Sequence, residues 1–122
     1  MARTIFDRYG GFRKISRIVI SFYEKMTTSP LTKRYFENIN MKRLIDHQTK
    51  FISSMMGGPA SYTNEHLERV HAHLGITEEA FSEAVDLLTE TLEDHAFDDA
   101  DVSEVENQVM VRKNHIVQKT HD

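Results

Sequence analysis

Seven histidines, at positions 47, 66, 71, 73, 95, 115 and 121, carry most of the proton and metal chemistry this sequence offers near neutral pH. Cysteine is absent, which excludes disulfides, thiol nucleophiles, thiolate zinc sites and iron–sulfur clusters. Any metal must therefore be held by His, Asp, Glu, Met or Tyr. Neighbours on one helix face sit three or four residues apart, and that rule sorts the histidines. Over residues 64–74, Leu67, Val70, His71 and Leu74 fall on an apolar stripe, and His66, Arg69 and His73 on a polar one. His71 alone among the three histidines of this stretch points at a core. His71 and His73, two apart, diverge and cannot grip one ion. His47 lies beside a second apolar stripe, three residues after Leu44 and four before Phe51. A single inward histidine serves as a hydrogen-bonded core residue or as a ligand, and spacing alone leaves both open.

The elements that must position these groups are helical throughout. Apolar residues recur with a helical period, and no alternating strand pattern occurs. The breakers are Gly10-Gly11 and Gly57-Gly58-Pro59, and Gly75 is the expected helix C-cap. A short helix is predicted from Arg3 to Tyr9. The next covers Phe12 to Thr27 with Ile15, Val19, Phe22, Tyr23 and Met26 inward. Ser29-Pro30 opens a short turn or helix to Phe36. Asn40 then caps a helix whose stripe is Met41, Leu44, Ile45, Gln48, Phe51, Ile52, Met55 and Met56. A helix from Asn64 to Leu74 follows. Thr77 with Glu78-Glu79 opens the next one, whose stripe is Phe81, Ala84, Val85, Leu88 and Leu92, since acids suit the positive end of the dipole. The last begins near Asp98–Asp101 and carries Val102, Val105, Val109 and Ile116.

The chain of 122 residues has the size of one domain, 39% hydrophobic and 28% charged, which fits a globular protein. Its net charge of −4 argues against a nucleic-acid binder. The charge is uneven: residues 1–50 hold 11 Lys/Arg and 4 Asp/Glu (+7), and residues 51–122 hold 4 and 15 (−11). Two readings follow, namely halves that fold against each other, or a basic surface that handles an anionic ligand or partner. No apolar run approaches the roughly 20 residues of a membrane span, and the N-terminus lacks a signal-peptide stretch, so a cytoplasmic location is expected.

Two inward histidines on different helices accompany a surplus of inward aromatics and methionines: Phe22, Tyr23, Tyr35, Phe36, Phe51, Met55 and Met56. Such a stripe fills an ordinary core. It equally suits a flat apolar cofactor such as haem, whose iron takes an axial imidazole and whose ring needs an apolar cleft. Zinc fits less well, because three or four ligands at workable spacings are missing.

Several spaced motifs agree with one family. The run Phe51-Ile-Ser-Ser-Met-Met-Gly-Gly-Pro-Ala-Ser-Tyr62 resembles the signature of truncated (two-over-two) haemoglobins of group I. So do Asn38-Ile-Asn-Met-Lys-Arg-Leu-Ile-Asp-His-Gln48, Phe22-Tyr23, Tyr35-Phe36 and Val70-His-Ala-His-Leu-Gly-Ile-Thr77. The resemblance runs from Gly10-Gly11 to the final helix. It implies an all-α shortened globin, with two pairs of helices around a haem, and residues 1–122 as a single domain.

The same resemblance implies haem b (iron protoporphyrin IX) as cofactor, with His71 as the proximal iron ligand and Phe36 wedged against the ring. Tyr23, Leu44 and Gln48 would line the distal side, with Phe51 and Lys42 also at the cofactor. It further implies a loop from Gly57 to about Asn64 that is less helical than its length suggests. His47 is a candidate distal iron ligand, since some relatives carry a ligating residue there; otherwise it turns to solvent or to a propionate. His115 is a weaker candidate for the covalent haem link known in some cyanobacterial relatives. Lys42, Arg43, Lys50, Arg69 and Tyr62 are candidate propionate partners, and His66, His73, His95 and His121 are assigned to the surface.

Reversible binding of oxygen, nitric oxide and carbon monoxide is the expected activity. A phenol at Tyr23 and an amide at Gln48 can donate to an oxygen that draws charge from ferrous iron. The rivals are a haem redox enzyme (nitric oxide dioxygenation, or peroxide or nitrite chemistry) served by an external reductase, and a haem-free helical interaction module.

Overall fold

The computed structural model describes residues 3–59, 65, 71 and 74–117. Among these, five helices form and no strand element does: α1 (Ile5–Arg8), α2 (Gly11–Met26), α3 (Met41–Met55), α4 (Glu78–Asp94) and α5 (Asp99–Met110). Short 3-10 turns at Lys33–Phe36 and Lys113–His115 lie between α2 and α3 and beyond α5. Residues 65 and 71 are helical and Leu74 is in a turn; the other residues of the expected 64–74 helix, and residues 60–63 of the expected loop, lie outside the described residues.

Local chemistry sets the boundaries. Thr4, Asn40 and Thr77 each accept a backbone N–H with the side-chain oxygen, from Asp7, Arg43 and Ala80 respectively, and so satisfy donors that a helix start leaves open. Gly75 takes the left-handed φ of 65° expected of a terminator. The last helix is shorter than the expected stretch. It ends at Met110, after which Arg112 Nη1 bonds the Gln108 carbonyl at 2.7 Å and Lys113 pairs with Glu78 at 2.6 Å. His115 and Ile116 therefore leave the helical register.

α2 packs against both α3 and α4, α5 packs on α4 and α3, and α1 closes on α2. The shared core contains Ile15, Ile18, Val19, Leu92 and Val105, all fully buried. Burying each such side chain stabilises the fold by roughly 1.5–3 kcal/mol. The two oppositely charged halves do meet. Arg8 holds Asp101 with paired bonds of 2.8 and 2.7 Å, and Lys25 pairs with Glu90 and Asp94. Tyr9 completes the first of these ties, stacking on Phe97 and donating its hydroxyl to Asp101 at 2.7 Å.

Candidate functional site

The helices leave a cavity of about 380 Å³, inside the size range of cofactor pockets. Its wall on α3 is one face at helical spacing: Leu44, His47, Gln48, Phe51, Ile52 and Met55. α2 supplies Phe22, Tyr23 and Met26, and the first 3-10 turn supplies Tyr35 and Phe36. Phe81, Ala84, Val85 and Leu88 of α4 close another side, and His71 enters with Leu74 and Ile76 from the stretch before α4. The lining side chains are apolar except at Tyr23, Tyr35, His47, Gln48 and His71.

Tyr23 is held hard. Its ring packs edge-to-face on Phe22 and Phe36, with centroids 4.8 and 5.5 Å away. Burial pushes its hydroxyl well above the ordinary phenol value, and a hydrogen bond with the Gln48 side chain pulls it partly back. The group is therefore a neutral, proton-bearing donor throughout the physiological range. Tyr35 accepts from Arg34 Nη2 at 2.8 Å and donates to the Gly75 carbonyl at 3.5 Å, so it spans from the turn to the segment after His71.

One imidazole and a phenol–amide pair, on three different elements within a carbon-walled cavity, match the needs of a flat apolar cofactor that carries a metal. Among the described residues no three His, Asp or Glu side chains converge into a metal cage of their own.

The expected site residues divide clearly. His71, Tyr23, Phe36, Leu44, Gln48 and Phe51 come together at the cavity, as does His47, whose residue is exposed. Lys42 does not line it; it stands exposed in the first turn of α3 with Arg43. Lys50 pairs with Asp46 at 3.4 Å. Arg69, Tyr62, His66, His73 and His121 lie outside the described residues. His115 is next to the lining but not in it, and Ile116 fills that position. His95, assigned to the surface, is half-buried instead: the turn after α4 brings its Nε2 within 3.3 Å of Ser21 Oγ. Tyr35 and the α4 residues are lining groups whose aromatic or apolar stripe was legible, although its use as a cavity wall was not.

The family model for bacterial-like globins matches residues 4–118. A group 1 truncated hemoglobin of Mycolicibacterium paratuberculosis is 30% identical over 102 residues, spanning 84% of this chain and 75% of the relative. The chain belongs to the truncated haemoglobins. One of Tetrahymena thermophila, also group 1, is 27% identical over 101 residues, covering 83% of this chain and 84% of its own.

Solved truncated haemoglobins share the fold. The Fe(III) form from Tetrahymena pyriformis superposes with a TM-score of 0.86 at 24% identity, covering 96% of this chain and all of the other. The 2/2 hemoglobin of a Synechococcus species, in its cyanomet state with covalently attached heme, gives 0.86 at 21% identity over the same shares. The all-α, two-over-two architecture expected from the sequence is thus present, and as a truncated haemoglobin the chain is a haem-binding globin.

Proposed function

We propose that residues 1–122 act as a single globin domain that carries haem b and reversibly binds oxygen, nitric oxide and carbon monoxide. The observation that supports this most directly is the meeting of His71 with the hydrogen-bonded Tyr23–Gln48 pair inside one apolar cavity. When bound, the haem supplies a ferrous iron that lends partial negative charge to a diatomic gas. His71 would hold the iron through its imidazole, and Phe36, Leu44 and Phe51 would cover the ring with carbon. Tyr23 would donate its hydroxyl toward the gas, and the Gln48 amide, beside it, would be a second donor. In a cavity of low polarity such donors count for more than in water.

His47 is read as an exchangeable distal ligand. It lines the cavity and is exposed, and its imidazole would bind the iron when no gas is present. Lys42 and Arg43, exposed in the first turn of α3, are read as propionate partners.

Absorption spectra of the ferric, ferrous and carbonmonoxy forms test the proposal. A Soret band is expected. His71→Gly should lose the native axial spectrum and regain it on adding free imidazole. A pigment held by the glycine variant with unchanged bands overturns His71 as ligand, and no Soret band at all overturns the function. Low-spin bands are expected in the unligated ferrous protein, turning high-spin in His47→Ala. High-spin bands in the unmodified protein would assign His47 to the rim.

A further inference from the structure

We propose that the Tyr35 hydroxyl braces the segment that carries His71 and so sets how that imidazole meets the iron, which makes Tyr35 a positioning residue for gas binding. This inference rests on the haem-binding reading above.

The brace stands on a fixed base. Tyr35 lies in the 3-10 turn Lys33–Phe36, and its N–H bonds the Thr32 carbonyl at 3.1 Å. Thr32 is fully buried and donates its hydroxyl to the Met26 carbonyl at 2.6 Å, at the end of α2. Ser29 donates its hydroxyl to Glu83 of α4 at 2.7 Å, and the Lys33 N–H returns to the Ser29 carbonyl at 2.9 Å. Both α2 and α4 therefore hold the turn in place.

The phenol is aimed. It carries one proton and can also accept. Arg34 Nη2 donates to the Tyr35 oxygen at 2.8 Å, and its guanidinium lies 4.9 Å from the centre of the same ring. The phenol proton is left for the Gly75 carbonyl, 3.5 Å away and forty positions along the chain. A cationic donor on the oxygen strengthens the hydrogen bond that its proton makes.

The acceptor belongs to the turn that follows His71. The Leu74 N–H bonds the His71 carbonyl at 3.0 Å, so a restraint on Gly75 reaches His71 across a single turn. Gly75 has φ 65° and open space where a side chain would stand, so a hydrogen bond to its backbone supplies a restraint that packing at that point does not. Tyr35 and His71 line the same cavity. The next residue, Phe36, packs edge-to-face on Tyr23. One turn thus touches Tyr23 through Phe36 and the His71 segment through Tyr35, and spectroscopy separates the two.

The test uses the haem-loaded protein and two variants. Tyr35→Phe keeps the ring and removes only the hydroxyl; Arg34→Met keeps the hydroxyl and removes its cationic partner. In the carbonmonoxy form of Tyr35→Phe, hydrogen exchange at the Leu74 amide should quicken roughly tenfold, while amides of α5 keep their rates. The iron–imidazole stretching band, recorded by resonance Raman just after photolysis of carbon monoxide, should shift and broaden. The C–O stretching band, which reports the Tyr23 and Gln48 side, should stay where it is. Arg34→Met should move the same two readouts in the same direction by less. Faster exchange with an unmoved iron–imidazole band would show a merely structural tie and overturn the proposal. So would a shift confined to the C–O band, or no change in either variant. A protein without a Soret band overturns the haem-binding reading and this inference with it.

Discussion

At the residue scale, Tyr23 and Asp101 show how one environment fixes one proton. Tyr23 is kept neutral by burial, and a neutral phenol is what a gas drawing negative charge requires. Removing that hydroxyl deletes a hydrogen bond of about 1 kcal/mol, somewhat more in an apolar cavity. Tyr23→Phe should therefore release oxygen roughly tenfold faster, measured by stopped-flow displacement with carbon monoxide. Asp101 shows the opposite control. The Arg8 guanidinium holds its carboxyl below the ordinary value, burial opposes this, and the Tyr9 hydroxyl adds to the lowering. The folded protein therefore takes up this proton later than the unfolded chain. Its contribution is complete above the ordinary carboxylate pKa of about 4 and disappears as pH falls below it. Asp101→Asn should lower stability at neutral pH and flatten the acid limb of the urea midpoint below about pH 4.

At the element scale, helix ends decide where the walls of the site begin. α4 stops in a paired motif, with the Phe97 N–H on the Leu92 carbonyl and the Ala96 N–H on Glu93. Leu92 and Phe97 are both buried, which seals the turn. The motif needs a left-handed residue, and Ala96 supplies it at φ 64°. A side chain there costs roughly 1–2 kcal/mol that glycine avoids, less glycine's own entropy loss. Ala96→Gly should accordingly stabilise the protein by about 0.5–1 kcal/mol, read from the urea midpoint, with the gas-binding spectra unchanged. The caps at Asn40 and Thr77 were legible in the sequence because they act over three residues. The pairing of Lys113 with Glu78 just beyond α5 was not, because it joins residues thirty-five positions apart.

At the scale of the whole molecule, the core is divided between side chains that touch one another and side chains that face the cavity. A wall without a partner loses its contacts, so the protein without cofactor should be markedly less stable. Haem that binds only the folded state at a thousandfold its dissociation constant adds about 4 kcal/mol. Extracting it should lower Tm by at least about 10 °C in a scanning calorimeter. An equal Tm for the two forms would show that the cavity collapses on extraction.

What the amino-acid order settled by itself is whatever depends on neighbours a turn apart. That covers the helical class, the caps, the inward direction of His71, and the α3 stripe that carries Leu44, His47, Gln48 and Phe51. Tertiary structure decided the rest. The Phe81–Leu88 face of α4 has the same apolar period whether it packs solid or lines a space, and only the distance between helices distinguishes the two. The Arg8–Tyr9–Asp101 tie and the seating of His95 against Ser21 have the same origin. Each joins residues or turns whose approach is set by packing, and no local periodicity encodes it.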